Sequence, residues 1–341
     1  MTVGQHGIRQ TVGLWREALR GIPQLTKDEW RGLDLLARWL IATRAAVLVM
    51  TLLSAAIAGI MAFRAERFDL DLWVIMTTGL LLAHATNNLV NDLTDHWTGV
   101  DRENAFRTQY GPQPVEDGYM TTRQAVVMTV VTGIAALSCG LYLVAVTGTL
   151  TLLLLGLGAL FLLFYTWPLK HIGLGELVVF VVWGPLMVGG GYYVVAGDWS
   201  WSVVVVGAVY ALGVTTVLFG KHIDKIPYDK PLGVNTLPVL LGERNARYTA
   251  IGLVLAQYGG VGWLVFSGAL GWPLLVVGLA LGRFRQLWNV FTQAKPAVPP
   301  DGYPKDAWPL WFVSFAFLHN RRFGTLFLAG LIADTAWVLA L

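Results

Sequence analysis

The sequence has few charged residues for its length. Asp, Glu, Lys and Arg account for 13% of the 341 residues, whereas 55% are apolar. Soluble domains usually carry charge on about a quarter of their residues. The composition therefore excludes an ordinary soluble domain and indicates that lipid surrounds most of the protein.

Cysteine is almost absent, and so are the short motifs of several common enzyme classes. The one cysteine, Cys139, excludes an intramolecular disulfide, and no Cys/His spacing typical of a zinc site occurs. The sequence also lacks a P-loop, a GxSxG nucleophile motif and a Rossmann glycine fingerprint. Serine hydrolysis, P-loop nucleotide chemistry and dinucleotide binding are therefore disfavoured.

The sequence has instead a series of long stretches without any Asp, Glu, Lys or Arg. A spanning helix needs about 20 mainly apolar residues, so the two longest stretches are expected to hold a helical pair each, divided near Gly148 and near 268–273. The sequence thus predicts an all-α membrane protein with nine transmembrane helices. The stretches are 45–63, 72–91, 124–169, 177–197, 199–220 and 248–282, and a last span covers 323–341.

The distribution of basic residues predicts the orientation in the cell membrane. With a cytoplasmic N-terminus, 22 of the 24 Lys and Arg residues lie on the cytoplasmic side, and only Arg64 and Arg67 lie on the other. This bias follows the positive-inside rule. It accounts for the net charge of +3 without nucleic acid, which is not expected as a partner.

The first 35 residues are polar and are expected to form a cytoplasmic extension before a transmembrane domain over 36–341. No secretory signal peptide is expected, because these residues contain no short apolar core with a cleavage site. Residues 28–40 have the amphipathic pattern of a helix that lies on the membrane interface.

Polar residues gather at the end of the second predicted span, where five of them share one helical face. A glycine after them can turn the chain so that a third carboxylate folds back. Carboxylate and amide oxygens suit Mg²⁺. A solvated helix end is the alternative, although carboxylates there oppose the helix dipole. This first polar cluster consists of His84, Asn88, Asn91, Asp92 and Asp95, with Gly99 as the turn and Asp101 beyond it.

A second polar cluster follows the sixth predicted span. On a straight helix Asp224 and Asp229 would point about 140° apart, but Pro227 between them is expected to break the helix and let both carboxylates converge. Both clusters lie on the predicted cytoplasmic side. Two facing sets of carboxylates could hold two Mg²⁺ ions and, with nearby Lys and Arg, a diphosphate. Taken alone, the second cluster could equally be a charged loop.

Basic residues near the clusters are candidates for contacts with diphosphate oxygens. Lys170 is the strongest, because it stands alone in the shortest predicted cytoplasmic loop. Each candidate could instead serve only the membrane topology. The candidates are Arg107, Lys170, Lys221 and Lys225.

The two clusters resemble the paired motifs of the UbiA superfamily of intramembrane prenyltransferases. The superfamily's NDxxD motif with a further Asp downstream matches 91–101. One subfamily, the 1,4-dihydroxy-2-naphthoate polyprenyltransferases of menaquinone synthesis, has the longer form of that motif. This subfamily also has segments similar to 42–44, 165–176 and 229–237. The resemblance covers about 36–340.

The resemblance implies a nine-helix bundle around a central cavity, and Mg²⁺-dependent transfer of a polyprenyl group from an isoprenoid diphosphate to an aromatic or lipid acceptor. An allylic cation would form inside apolar walls that exclude water. Asp92 would orient a metal-bound water or the acceptor. The implied metal ligands are Asn91, Asp95, Asp101, Asp224 and Asp229. The implied catalytic residues are Asp92, Asp95, Asp224 and Tyr165, and the implied diphosphate contacts are Lys170, Arg107, Lys221, Lys225, Asn88 and Arg44.

Two departures from the superfamily pattern leave the acceptor open. Asp224 and Asp229 stand five positions apart where four is usual, and Val234-Asn235 replaces a Lys-containing pair. The alternatives to the naphthoate are a chlorin, haem, sugar-phosphate or lipid acceptor, or terpene cyclisation with no acceptor. A transporter is a distant alternative, because it would place acids near the centres of several spans, whereas only Asp334 lies well inside one.

Overall fold

The computed structural model describes residues 8–21, 23, 25–99, 113–304 and 307–340. Within these ranges the chain is helical and has no β-strand, as the sequence predicts. In chain order the α-helices are α1 (Ile8–Arg20), α2 (Lys27–Gly32), α3 (Leu35–Ala42), α4 (Val49–Arg64), α5 (Leu70–Thr98), α6 (Thr122–Thr147), α7 (Thr149–Phe164), α8 (Gly175–Val181), α9 (Gly190–Ala196), α10 (Trp201–Asp229), α11 (Leu237–Leu241), α12 (Glu243–Phe266), α13 (Leu281–Phe291) and α14 (Phe312–Leu339).

Several of these helices have the character of membrane spans. Helix α7 is apolar but shorter than the others. The protein is a multi-pass, all-helical membrane protein, whereas the number of nine spans is not confirmed and stays a prediction. Six segments of the described chain are long and apolar enough to cross a membrane: Ala45–Arg64, Thr122–Thr147, Gly175–Ala196, Trp201–Leu232, Glu243–Phe266 and Phe312–Leu339.

Local sequence signals set the helix boundaries. Gly148, with φ of 90°, ends α6 and precedes α7, so the predicted break at this residue is confirmed. The second predicted break is also found, because α12 ends at Phe266 and a 3₁₀ helix then runs over Trp272–Ala280. Helix α6 begins with a capping box in which Thr121 and Gln124 bind each other's backbone N–H.

Helix α10 lies at the centre of the bundle. It packs against α4, α8, α12 and α14, and against the π-helical Val182–Gly189 that joins α8 to α9. A Cβ added to Gly184 would lie 2.9 Å from the carbonyl oxygen of Gly207, and one added to Gly207 would lie 2.9 Å from that of Gly184. The two segments are therefore in contact backbone to backbone, which only small residues allow.

The N-terminal segment contains three helices rather than the one predicted. A single helix over 28–40 is wrong, because Asp34 separates α2 from α3. The Asp34 carboxylate accepts a hydrogen bond from the backbone N–H of Ala37 at 2.9 Å and so caps the start of α3. Trp30 of α2 is buried and stacks on Tyr119. This segment therefore packs against the bundle.

Residues 292–311, between α13 and α14, form what we call the connecting segment. Its described part contains no α-helix and is held by aromatic contacts. The Tyr303 hydroxyl donates to the carbonyl of Leu310 at 2.5 Å, and its ring contacts those of Trp308 and Trp311. The described part of the connecting segment thus has a defined structure beside the start of α14.

Candidate functional site

A cavity of about 510 Å³ lies among α5, α6, α7, α8, α10 and the π-helical segment. Its body is apolar, and side chains such as Met76, Leu154, Phe161 and Trp183 form the walls. His84 of the first polar cluster also lines the cavity. Its polar end lies where α5 and α10 terminate. The predicted site residues that line the cavity are Arg44, Asn88, Asn91, Asp95, Tyr165, Lys170, Lys221 and Lys225.

The first polar cluster lies on the last turns of α5. Asn91 and Asp95, one helical turn apart, both line the cavity, and the Asn91 amide donates to Asp95 at 3.2 Å. Thr166 donates its hydroxyl hydrogen to the Asn91 side-chain carbonyl at 3.2 Å. An amide oxygen and a carboxylate side by side are hard oxygen donors that fit Mg²⁺. Helix α5 ends at Gly99 in the left-handed conformation, as predicted.

Asp92 points to a different partner from its neighbours on α5. Its carboxylate forms a buried ion pair with Arg44, and Asp92 itself is not part of the cavity lining. Arg44 has φ of 52°, a conformation that typically costs a residue other than glycine about 1–3 kcal/mol. Asn88 donates to the carbonyl of Thr43 at 2.8 Å. Both contacts hold the turn at Arg44, so that the guanidinium reaches the cavity.

A second contact to Asp95 comes from the turn after α7. The Lys170 ammonium lies 3.4 Å from the Asp95 carboxylate, and both side chains are buried. The next residue, His171, contacts the carbonyl of Thr166 through its Nδ1 at 2.9 Å. Burial and then the charge of Lys170 lower the pKa of the His171 imidazole below its ordinary value, which favours a neutral ring that donates to Thr166.

The second polar cluster differs from the sequence prediction. Pro227 does not break the helix, because α10 continues to Asp229. Pro227 removes the bond that its N–H would give to the carbonyl of Ile223, but this loss falls two residues before the end of α10 and the helix continues across it. Asp224 and Asp229 therefore keep the directions of a straight helix, about 140° apart, and do not converge.

The two carboxylates of this cluster have separate partners. Asp229 lies 2.9 Å from the Lys225 ammonium, one turn earlier on α10. Asp224 lies 2.9 Å from Lys295 of the connecting segment and accepts a hydrogen bond from the backbone N–H of Val313 at 3.0 Å. Asp224 thus ties the connecting segment and α14 to α10. Its role as a metal ligand or catalytic residue stays a prediction, and these contacts do not favour it.

Two predicted site residues, Asp101 and Arg107, lie outside the described residues. Among the residues that the structure does describe, no three His, Cys, Asp or Glu side chains form a group suited to a metal ion. Asn91 and Asp95 lie in hydrogen-bond contact on the cavity wall and are the predicted metal ligands that the structure brings together there.

Sequence reasoning missed a buried pair beside the second cluster. Glu176, at the start of α8, lies 2.5 Å from His222, which lines the cavity. Its other carboxylate oxygen accepts a hydrogen bond from the backbone N–H of Leu237 at 3.3 Å. The position of Glu176 at the very start of an apolar span could have indicated this pair, because a buried carboxylate requires a partner.

The sequence model of the UbiA prenyltransferase family matches residues 51–300 of the chain. The 1,4-dihydroxy-2-naphthoate octaprenyltransferase of Escherichia coli (strain K12) is 32% identical over 220 residues, which are 61% of this chain and 70% of that protein. The digeranylgeranylglyceryl phosphate synthase of Natronomonas pharaonis is 28% identical over 212 residues, which are 60% of this chain and 72% of the relative.

The fold is similar to that of solved structures. A UbiA homolog from Archaeoglobus fulgidus, bound to GPP and Mg²⁺, superposes with a TM-score of 0.58 and 16% sequence identity. The superposition covers 88% of this chain and 99% of that one.

Proposed function

Since the chain belongs to the UbiA prenyltransferase family, we propose that it transfers a polyprenyl group from an isoprenoid diphosphate to an aromatic acceptor. The observation on which this proposal depends is the cavity, with an apolar body and a polar end lined by a carboxylate and several cations. A donor with a diphosphate head and a hydrocarbon tail requires both parts.

Cationic side chains at the polar end would bind the diphosphate head. Arg44, Lys170, Lys221 and Lys225 all line this end, and charge-assisted hydrogen bonds to phosphate oxygens are about twice as strong as neutral ones. Asn88 and Tyr165 line the cavity as well and would add neutral donors.

Asn91 and Asp95 would hold Mg²⁺, with Asp101 as a further ligand predicted from the sequence. Bound Mg²⁺ stabilises the negative charge on a leaving diphosphate by several kcal/mol. Asp92 would act through Arg44, since the buried ion pair fixes the guanidinium. Asp229 would act in the same way on Lys225.

The reaction breaks the bond between the first prenyl carbon and the diphosphate oxygen, and the bonding electrons leave with the diphosphate. An electron-rich carbon of the acceptor attacks the resulting allylic cation. That carbon then loses its proton to water or to the released diphosphate, or loses CO2 where it carries a carboxyl group. Phe161 and Trp183 belong to the apolar wall, which would keep water away from the cation.

The relatives favour one acceptor without excluding others. The Escherichia coli relative is named for 1,4-dihydroxy-2-naphthoate, and we propose this compound, and hence menaquinone biosynthesis, as the first candidate. The Natronomonas pharaonis relative is named for a glyceryl phosphate lipid. A lipid acceptor is therefore the second candidate.

The membrane arrangement that we propose follows the sequence. The domain over 36–341 would cross the cell membrane nine times, with α5, α7 and the 3₁₀–α13 region as the spans beyond the six apolar segments. Residues 1–35 would form a cytoplasmic extension, and the polar end of the cavity would face the cytoplasm, where the charge bias places it.

The test is mass spectrometry of the products after purified protein is incubated with Mg²⁺ and geranylgeranyl diphosphate, with and without 1,4-dihydroxy-2-naphthoate. A Mg²⁺-dependent prenylated product of the naphthoate, with or without loss of its carboxyl group as CO2, is expected. Diphosphate release without that adduct would keep the reaction class and reject the naphthoate. Failure to release diphosphate from donors of any chain length would reject the proposed function.

A further inference from the structure

This inference rests on the proposed function and concerns how the diphosphate is held. We infer that Lys225 supplies a built-in cation to the diphosphate site, so that the second polar cluster binds diphosphate through an ammonium group instead of through a second Mg²⁺. In the described part of the chain, the diphosphate site then has one place for a divalent ion, at Asn91 and Asp95.

The position of Lys225 on α10 is the first argument. Its side chain is only 5% exposed, lines the polar end of the cavity and pairs with Asp229 at 2.9 Å. Asp229 is 1% exposed and lies behind the lysine, outside the cavity lining. Substrate entering from the cavity would therefore reach the ammonium before it reaches the carboxylate.

The direction of Asp224 is the second argument. A metal ion bound by α10 alone would need two carboxylates on one helical face, and Asp224 and Asp229 point about 140° apart. Asp224 is also held by Lys295 and by the Val313 N–H. In the described chain the second cluster thus offers one carboxylate, and the residue one turn before it is a lysine.

The electrostatic balance of the cavity end is the third argument. Four cationic side chains line it, namely Arg44, Lys170, Lys221 and Lys225, and among the described residues Asp95 is the carboxylate on the lining. Asp92 and Asp229 pair with Arg44 and Lys225 from outside the lining, so the surface that faces the cavity is mainly cationic. Two like charges a few ångströms apart repel strongly where water is scarce. A second divalent ion beside the Lys225 ammonium would therefore be disfavoured, whereas a diphosphate would be attracted.

The experiment counts metal ions on the purified chain in nanodiscs, with geranyl S-thiolodiphosphate as an unreactive donor analogue. Mn²⁺ replaces Mg²⁺, and electron paramagnetic resonance gives the number of bound ions. We expect no more than one Mn²⁺ for each bound analogue. Two or more would overturn the inference while keeping the proposed function. No binding of the analogue would overturn the proposed function and, with it, the inference.

A matched pair of variants tests the ammonium itself. Lys225→Gln removes the charge from the cavity, and Lys230→Gln removes the same charge from an exposed residue just after α10. With saturating Mn²⁺, we expect Lys225→Gln to raise the Kd of the analogue about tenfold to a hundredfold, as for the loss of one hydrogen bond to a charged group. Lys230→Gln should leave it unchanged. An unchanged Kd in Lys225→Gln would overturn the inference.

Discussion

Asp95 is the carboxylate that the structure places on the cavity wall, in contact with both Asn91 and Lys170. We expect Asp95→Ala to lower turnover by at least about 100-fold, because the metal-ion stabilisation at stake is several kcal/mol and each 1.36 kcal/mol is tenfold in rate. Diphosphate release from geranylgeranyl diphosphate measures it. Asp71→Ala, at the exposed opposite end of α5, is the control and should keep normal turnover. Normal turnover in Asp95→Ala would contradict the assignment.

The Arg44–Asp92 ion pair makes a prediction about stability. Asp92→Asn leaves a buried guanidinium without its counter-charge, and removing one partner of a buried pair typically costs about 3–5 kcal/mol. We expect a marked fall in the thermal unfolding temperature in detergent, followed by tryptophan fluorescence. Asp198→Asn affects the exposed Arg67–Asp198 pair and should cost no more than about 1 kcal/mol. Equal effects of the two changes would rule out the role given to Asp92.

Some of these residue roles could be predicted from the sequence, and others could not. Helical periodicity places Asn91 and Asp95 one turn apart, so their shared face follows from local geometry. The partner of Asp92 lies 48 positions earlier in the chain, and the partner of Glu176 lies 46 positions later. Such pairings depend on tertiary packing, which no local pattern specifies.

At the scale of whole elements, Asp224 connects α10 to the connecting segment. Asp224→Ala should leave Lys295 without this buried partner, so we expect faster proteolysis within 292–311 and a lower unfolding temperature. Binding of geranyl S-thiolodiphosphate should stay close to normal, because Asp224 is not on the cavity lining. Limited proteolysis and a binding titration on the same sample check both. A large loss of analogue binding without faster proteolysis would contradict this structural role and indicate that Asp224 takes part in diphosphate binding.

The element boundaries show where sequence rules succeed. Gly148 separates α6 from α7 as predicted, because its φ of 90° is open to glycine and strained for other residues. Pro227 was expected to break the helix and does not, because the one ladder bond that it removes lies two residues before the end of α10. The prediction of one helix over 28–40 did not take account of Asp34, whose carboxylate caps the start of α3. Both wrong predictions concern a helix boundary. In each case the effect of the residue depended on where it lies relative to the end of its helix.

At the scale of the whole molecule, the predicted orientation can be tested with single cysteines. In a Cys139→Ala background, Lys230→Cys and Ala65→Cys introduce exposed thiols at opposite ends of the bundle. We expect a membrane-impermeant maleimide to label Ala65→Cys in intact cells and Lys230→Cys only after permeabilisation. Labelling of Lys230→Cys alone in intact cells would invert the topology, and labelling of both would contradict the number of spans between them.

The all-helical membrane fold could be predicted because long uncharged stretches have few other solutions in lipid. The cavity could not, since its walls come from helices that are distant in the sequence. Its polar end was predicted in part: Asn91, Asp95 and Lys170 meet there as expected. The expected meeting of Asp224 with Asp229 depended on a helix break that does not form.

The cations at the polar end also affect what happens after the transfer. Arg44, Lys170, Lys221 and Lys225 would face a free diphosphate once the prenyl group has left, and that product carries more negative charge than the donor did. These cations should therefore hold the free diphosphate at least as tightly as they hold the diphosphate head of the donor. We expect product departure to limit the steady-state rate, so that higher ionic strength at saturating donor speeds turnover while the first turnover stays unchanged.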